Sequence, residues 1–362
     1  MVRLLLPLDP PFEAAWDPVP RTSFESTIVR VETDEGPVGV GSGDTMDGFE
    51  RFEHLFVGED ALDVERHARV LETVTFHAGR YWPLEAALWD LAGKAAGRPA
   101  AELFGGVVDR LPVYASCGEL KPPAERAEYA QALVEEGWRA LKVRIAPDRL
   151  DEGVACVRAV REAVGDALDV MVDVNQGWRI AGDLRPPLEW ASVLRLAEEL
   201  RELGVLWLEE PLPADDVAGH ARLRAETGIR ITGGEMARTR AELERFLAAD
   251  ALDVYQPDAV LAVGLAGARD VARAALERSR WFTPHTWTNG IGVLANLAVA
   301  AGVGAGPYLE LPYDPPGWTH ERRDFMLARP LRPDADGLLA VPAAPGLGVE
   351  LNEEALRRFP AG

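Results

Sequence analysis

Cysteine is scarce in this chain: two in 362 residues, Cys117 and Cys156, far apart and without a Cys-x-x-Cys spacing. That excludes a disulfide framework, argues against a thiolate zinc site and fits a reducing cytoplasm. Lysine is almost as scarce. Lys94, Lys121 and Lys142 stand against 35 arginines. An excess of basic charge is missing altogether, the formal charge being −21. A nucleic-acid binder needs a basic face, and an anionic membrane repels such a chain, so neither partner is expected. Long apolar runs are absent too. The stretch Met1–Asp9 is broken by Pro7 and is too short for a signal-peptide core. The best candidate span, Val293–Leu311, contains Asn296, Pro307 and Glu310 and reads as a helix followed by a strand. No low-complexity run or short repeat occurs.

What is present is an ordinary globular composition, 48% hydrophobic and 27% charged. At roughly 100–200 residues per domain, the length suits two domains, or one large barrel with an attachment. Residues 1–110 read as α+β. Ser26–Glu32 (STIVRVE) and Pro37–Gly43 are β-rich and joined by a turn signal at Thr33–Gly36. Helical patterns follow at Gly48–Val57, Ala61–Phe76 and Leu84–Ala96, closed by Pro99–Leu103 and Gly105-Gly106.

From Leu111 the rhythm changes. Short apolar runs alternate with helical stretches: Pro112–Ser116, Ala140–Ile145, Asp169–Val174, Val205–Leu208, Ile229–Thr232, Asp253–Gln256, Trp281–Thr283 and Tyr308–Leu311. Such alternation predicts a closed parallel (β/α) barrel over 111–318. An open doubly wound sheet is the alternative, but no GxGxxG follows the first of these strands. The Pro/Gly-rich tail, 319–362, is expected to return to the first domain.

Barrel active sites lie where the strands end. Three successive strands end in acids, at Asp173, Glu209 and Glu235. With neighbouring strands about 4.8 Å apart, the three anions converge and repel unless a hard cation sits between them. All-oxygen ligands suit Mg²⁺. The bland alternative is that each acid caps the next helix. Asp258 and His285 end the next two strands, where a carboxylate can fix the tautomer of an imidazole base. Lys142 and Arg144 share one face of a strand on the other side of the acids, placed to bind an anionic substrate, or simply to neutralise the carboxylates. Arg144 is no proton-abstracting base, because a guanidinium stays protonated. Cys117 reads as a small packed residue.

These residues bring a family into view. The chain resembles the enolase superfamily, specifically its mandelate racemase-like subgroup, over nearly its whole length. LEAALWDLAGKAAGRPAAELFGG (Leu84–Gly106) is similar to the end of that family's capping domain, and LKVR, DVNQGW, WLEEP, GGE, QPD, PHT and YLEL follow in family order. The resemblance implies a modified (β/α)7β barrel of TIM type, with an α+β capping domain formed by the N-terminal segment and the C-terminal tail. It implies one Mg²⁺ per subunit on Asp173, Glu209 and Glu235, and a His285–Asp258 dyad. Lys142 and Glu310 would contact the substrate carboxylate, Asn175 would lie near the substrate, and Glu210 would stand behind the metal ligands. Arg144 departs from the pattern, since two-base relatives carry a lysine there. A one-base reaction is therefore expected: dehydration of an acid sugar to a 2-keto-3-deoxy acid, with His285 as base. A racemase, epimerase or lactone cycloisomerase is the alternative, and a non-catalytic metal-binding barrel a remote one. Specificity is expected from the segment before Ser26 with Trp16, from the turn Ser42–Asp47, and from Trp287, Tyr313 and Trp318. A cytoplasmic homo-oligomer acting on a small carboxylate is the implied setting.

Overall fold

The computed structural model describes every residue except 35, 44, 107, 305 and 362. The chain opens with an antiparallel sheet of three strands, β1 (Val2–Phe12), β2 (Arg21–Val31) and β3 (Gly39–Ser42), in that order. Three helices follow: α1 (Val64–His77), α2 (Trp82–Ala96) and α3 (Ala100–Phe104). Helix α2 lies directly on β3. A Cβ at Gly39 or Gly41 would stand 2.1 Å from the Ala87 carbonyl oxygen or 2.2 Å from that of Pro83, so only glycine permits this approach.

The remaining strands alternate with helices. In chain order they are β4 (Arg110–Ser116), α4 (Pro123–Glu135), β5 (Ala140–Arg144), α5 (Leu150–Val164), β6 (Asp169–Asp173), α6 (Trp190–Glu202), β7 (Leu208–Glu209) and α7 (Val217–Thr227). Then come β8 (Ile231–Gly233), α8 (Arg240–Ala248), β9 (Val254–Tyr255), α9 (Gly264–Leu276), β10 (Trp281–Phe282), α10 (Gly290–Val303) and β11 (Leu309–Pro312). Strands β4 to β10 pair in sequence and in parallel, and β11 pairs with the outer side of β4. The β10 and β11 ends of this curled sheet are bridged by single bonds. Gly306 N–H donates to the Phe282 carbonyl at 2.8 Å, and the Thr286 hydroxyl donates to the Glu310 carbonyl at 2.8 Å.

The tail adds α11 (His320–Arg323), β12 (Leu338–Ala340, antiparallel to β4) and α12 (Glu353–Arg358). Its end runs along β1, where Leu5 N–H donates to Phe359 O and Ala361 N–H donates to Arg3 O. The two parts of the molecule are joined by buried polar caps. Glu85 of α2 accepts from the Leu265 and Ala266 N–H groups at the start of α9, and burial pushes its carboxyl up to about 7. Asn289 caps α10 and donates to the Ser42 and Ser26 hydroxyls.

One sequence expectation is corrected and one strand is added. The first twelve residues form an edge strand, with Pro10 and Pro11 in its irregular stretch between Pro7 and Phe12. Gly48–Val57 holds two short 3₁₀ turns, Phe49–Arg51 and Glu53–Leu55, because Gly48 enters with φ of 81° and Phe52 interrupts the spiral. The eight apolar runs of the second part all carry strands, shifted by one to three residues at some ends. Part of the turn signal at Thr33–Gly36, at residue 35, lies outside the described residues.

Tyr313 stands away from the site it was expected to line. It stacks on His320 at 4.3 Å and on Trp138 at 5.5 Å. His320 Nδ1 is buried without a partner among the described residues, and burial, with Arg323 and Arg332 nearby, lowers the imidazole to about 2. The folded state therefore refuses a proton that the unfolded chain takes up below about pH 6.5. This contribution to stability is present above that pH and is lost as pH falls, by about 2 kcal/mol at pH 5. His320→Phe keeps the stack and removes the titration. Urea unfolding at pH 7.5 and pH 5 should show a gap smaller by about 2 kcal/mol in the variant; an unchanged gap would contradict the assignment.

Candidate active site

The parallel ladder sets the site. Arg144 is paired with Asp173, and Asp173 with Glu209, so three charged residues stand side by side at the strand ends. Glu235 lies beyond the end of β8 and reaches the same place through a turn at Gly234, whose φ is 100°. One carboxylate oxygen each from Asp173, Glu209 and Glu235 lies within 4.8 Å of the others, and all three residues are buried. Glu235 Oε2 has no hydrogen-bond partner among the described residues. Three converging buried carboxylates, one of them with an unpartnered oxygen, form a donor set suited to a hard divalent cation.

Lys142 answers part of this charge. Its Nζ is 2.6 Å from Glu209 Oε1, 2.7 Å from Glu310 Oε1 and 3.4 Å from Asp173 Oδ2. Arg144 donates to Asp173, to Asn175 Oδ1 at 2.7 Å and to the Cys117 carbonyl at 2.9 Å. The carboxylates divide accordingly. Burial and neighbouring Asp173 push Glu209 up to about 8. Against the cost of burial, Arg144 and Lys142 hold Asp173 below its ordinary value, and Lys142 with His285 holds Glu310 down at about 2.

On the far side of the acids, His285 Nδ1 is 2.9 Å from Asp258 Oδ2. The other Asp258 oxygen accepts from Val260 N, Leu261 N and Asn296 Nδ2. The carboxylate is thereby fixed, which assigns the proton to Nδ1 and leaves Nε2 free, 3.6 Å from Glu235 Oε2. Although burial opposes it, the charges of Glu235 and Glu310 and the bond to Asp258 raise this imidazole to about 9, so that both ring nitrogens are protonated at neutral pH; a cation held by Glu235 would offset that carboxylate's charge, lower the imidazole and free Nε2 of its proton. Glu310 also accepts from the Thr286 N–H at 2.7 Å and from Ser116 Oγ at 2.7 Å. Asn175, at φ of 47°, donates its N–H to Asp173 Oδ1. Trp16 and Trp287 cover the Arg144 guanidinium, at 4.8 and 5.7 Å from their ring centres.

Lys142, Arg144, Asp173, Asn175, Glu209, Glu235, Asp258, His285 and Glu310, singled out from the sequence, therefore stand together with Trp16 and Trp287 beside them, whereas Tyr313 does not. Several others there went unremarked. Trp178 donates Nε1 to Glu235 Oε1 at 2.6 Å, and Gln256 donates to Glu209 Oε2 at 3.0 Å. Both lie inside quoted motifs, DVNQGW and QPD, which was the available signal. Ser116 accepts from Trp287 Nε1 at 2.8 Å. Glu210, which the sequence reading did name as standing behind the metal ligands, has φ of 44°, is buried with Oε2 unpartnered and presses against Gly177, where a Cβ would be 2.3 Å from Oε1. The described part of Ser42–Asp47 does not line the cavity over His285; residue 44 lies outside the described residues.

Fold and site together define an α/β protein with an acidic, buried centre at the ends of parallel strands and a histidine–aspartate pair facing it. The enolase C-terminal domain-like family matches residues 125–355, and the chain belongs to that family. It is 30% identical to the 3,6-anhydro-alpha-L-galactonate cycloisomerase of Streptomyces coelicolor, over 94% of this chain and 92% of that one. It is 31% identical to the D-galactonate dehydratase of Variovorax paradoxus, over 90% and 89%. Among solved structures, a racemase from Streptomyces coelicolor A3(2) with bound magnesium superposes with a TM-score of 0.84 at 28% identity, covering 99% of this chain and 98% of that one. Among the described residues no helix is long and apolar enough to cross a membrane.

Proposed function

We propose that this enzyme removes the α-proton of a carboxylate substrate and expels the oxygen on the neighbouring β-carbon, dehydrating an acid sugar to a 2-keto-3-deoxy acid. The observation that carries the reading is the Asp258-oriented His285, facing Lys142 and Arg144 across the acidic centre. Asp173, Glu209 and Glu235 would hold one Mg²⁺ per subunit. That ion, when bound, supplies positive charge where the enediolate develops. Lys142, oriented by Glu310, meets the substrate carboxylate. His285 Nε2 takes the α-proton while Asp258 holds the resulting imidazolium. The same imidazolium returns the proton to the departing 3-hydroxyl, so the C3–O bond breaks and water leaves. The enol then tautomerises to the ketone. Arg144 stays protonated, which leaves the opposite face of the α-carbon without a base and disfavours racemisation.

In this reading the curled sheet is a modified (β/α)7β barrel, and residues 1–110 with 319–362 form its cap, supported by Trp16 over Arg144. The setting is a cytoplasmic homo-oligomer, as the sequence reading has it. A second reading, ring-opening isomerisation, is favoured by the aromatic wall of the cavity over His285, where Phe12, Trp16, Phe24, Trp287 and Trp318 offer few partners to free hydroxyls.

Proton NMR in D₂O with Mg²⁺ and a panel of mono- and diacid sugars tests the proposal. The α-proton signal should vanish as C3 methylene or CHD signals grow. Loss of the α-proton with every hydroxyl retained moves the reaction to an isomerase. An α-proton that persists in every acid overturns the proposal.

A further inference from the structure

A buried ion pair outside the acidic centre grips the turn Cys117–Glu119, just past β4. Arg126 of α4 is 1% exposed, and Asp314, just past β11, is fully buried. The guanidinium donates to Asp314 Oδ1, to Cys117 Sγ and to the Glu119 carbonyl, each at 2.8 Å. Asp314 Oδ2 accepts from the Gly118 and Glu119 N–H groups at 3.0 and 2.9 Å, and Lys121 Nζ stands 3.4 Å from Oδ1. A buried pair of charges persists where hydrogen bonds complete it. Here those bonds run to the turn. Burial pushes the Cys117 thiol well up in spite of Arg126 beside it, so the sulfur is a neutral partner in this network and not a nucleophile.

The turn carries two parts of the site. Its Cys117 carbonyl accepts from Arg144 Nε at 2.9 Å. Its Gly118 carbonyl accepts from the Ala15 N–H at 2.8 Å, Glu119 Oε1 accepts from the Glu13 N–H at 3.3 Å, and Ala14 bridges to Glu119. Trp16 follows at once and lies over the Arg144 guanidinium, 4.8 Å from its ring centre. The chain on either side gives this segment no such hold. Asp9 and Pro10 are tied elsewhere, their carbonyls accepting from Arg322, and Pro18, Val19 and Pro20 are exposed. The turn is also pressed against the aromatic wall, since a Cβ at Gly118 would stand 2.4 Å from Phe12 and 2.5 Å from Trp287.

From this we infer that Arg126 is a positioning residue: paired with Asp314, it fixes the turn that seats Trp16 on Arg144 and so holds that guanidinium in place for an anionic substrate. Arg126 lies behind the turn and acts only through it. With Nε on Cys117 and Nη1 on Asp173 and Asn175, Nη2 of Arg144 is left for the substrate. The inference rests on the proposed function for the part Arg144 plays in substrate binding. The grip on Glu13–Asp17 can be read without turnover.

Arg126→Lys tests it in the Mg²⁺-loaded enzyme. Lysine keeps a cation beside Asp314 but lacks the planar fork that meets Asp314, Cys117 and the Glu119 carbonyl together. Hydrogen-exchange mass spectrometry should show residues 12–17 exchanging about tenfold faster than in the parent, the scale of one hydrogen bond, with 258–262 and 285–289 unchanged. On the sugar acid that the parent turns over best, kcat/KM should fall about 30-fold, the scale of a hydrogen bond to a charged group, through KM and with kcat nearly constant. In a Trp16→Ala background the same change should cost less than about threefold, because the stack it serves is already gone. Glu119→Ala alters a partly exposed side chain and opens only the Glu13 bond. It should give the same pattern at smaller size, and it carries the test if Arg126→Lys does not fold. Unchanged exchange over 12–17, equal losses with and without Trp16, or a fall in kcat at constant KM overturns the inference and leaves the α-proton reading standing. Retention of the α-proton in every acid by the parent overturns that reading, while the exchange data still decide whether Arg126 holds the turn.

Discussion

His285→Asn is expected to lower kcat by about 10⁴-fold, the upper end of what a positioned general base contributes, while leaving magnesium binding by calorimetry unchanged. The upper end applies because nothing nearby can take over. Lys142 is locked among three carboxylates, and its ammonium is held protonated by Glu209 and Glu310 against the cost of burial. Arg144 is a guanidinium tied to Asp173, Asn175 and a backbone carbonyl. The substituted carboxamide would still face Asp258, so the surrounding structure need not move, and circular dichroism should match the parent. Both halves of the reaction pass through the same imidazole, removal of the α-proton and its return to the leaving oxygen. The variant should therefore lose α-proton exchange and product formation together. A variant that exchanges the α-proton at the parental rate would show that another group is the base.

The acidic centre was legible because each acid follows a short apolar run, and parallel register converts that spacing into adjacency. The ladder pairs Arg144 with Asp173 and Asp173 with Glu209, as the alternation of strands and helices implies. Glu235 fitted the same rule, although it sits past its strand and depends on the Gly234 turn. The dyad was legible for the same reason, two neighbouring strands ending in Asp258 and His285.

The aromatic cavity was only half legible. Trp16, Trp287 and Trp318 were singled out, but so was Tyr313, which stacks away from it on His320. Phe12 and Phe24 went unnoticed because they come from two strands of the N-terminal sheet and meet the tryptophans only through tertiary packing, with no local pattern to announce it. Strand β1 was missed for a related physical reason. Its burial alternates from Val2 to Asp9, but the apolar run Leu4–Leu6 sets an exposed Leu5 between two inward leucines and hides the alternation in the sequence, and its pairing with residues 359–361 joins the two ends of the chain, a contact no window of sequence contains.

Lys142→Met should destabilise the metal-free protein by about 3–5 kcal/mol, the penalty for removing one partner of a buried ion pair. Lys142 is fully buried, and its ammonium is the cation that Glu209, Glu310 and Asp173 share. Methionine fills the stem's volume but leaves those carboxylates to repel or to take up protons. Glu310, now held down at about 2 by Lys142 and His285, would rise most. Among these acids Arg144 is ion-paired with Asp173 alone and acts on Glu209 and Glu310 only from a distance. Lysine and a divalent cation compete for the same oxygens, so magnesium should stabilise the variant more than the parent. At about 100 times its Kd the ion contributes about 2.7 kcal/mol to any one-site protein, and the tighter binding expected of the variant makes its increment larger at equal concentration. Urea unfolding with and without magnesium checks both points. A loss below about 1 kcal/mol would mean that the carboxylates are already neutral and do not need the ammonium. An equal magnesium increment in both proteins would place the ion away from the acids that Lys142 holds.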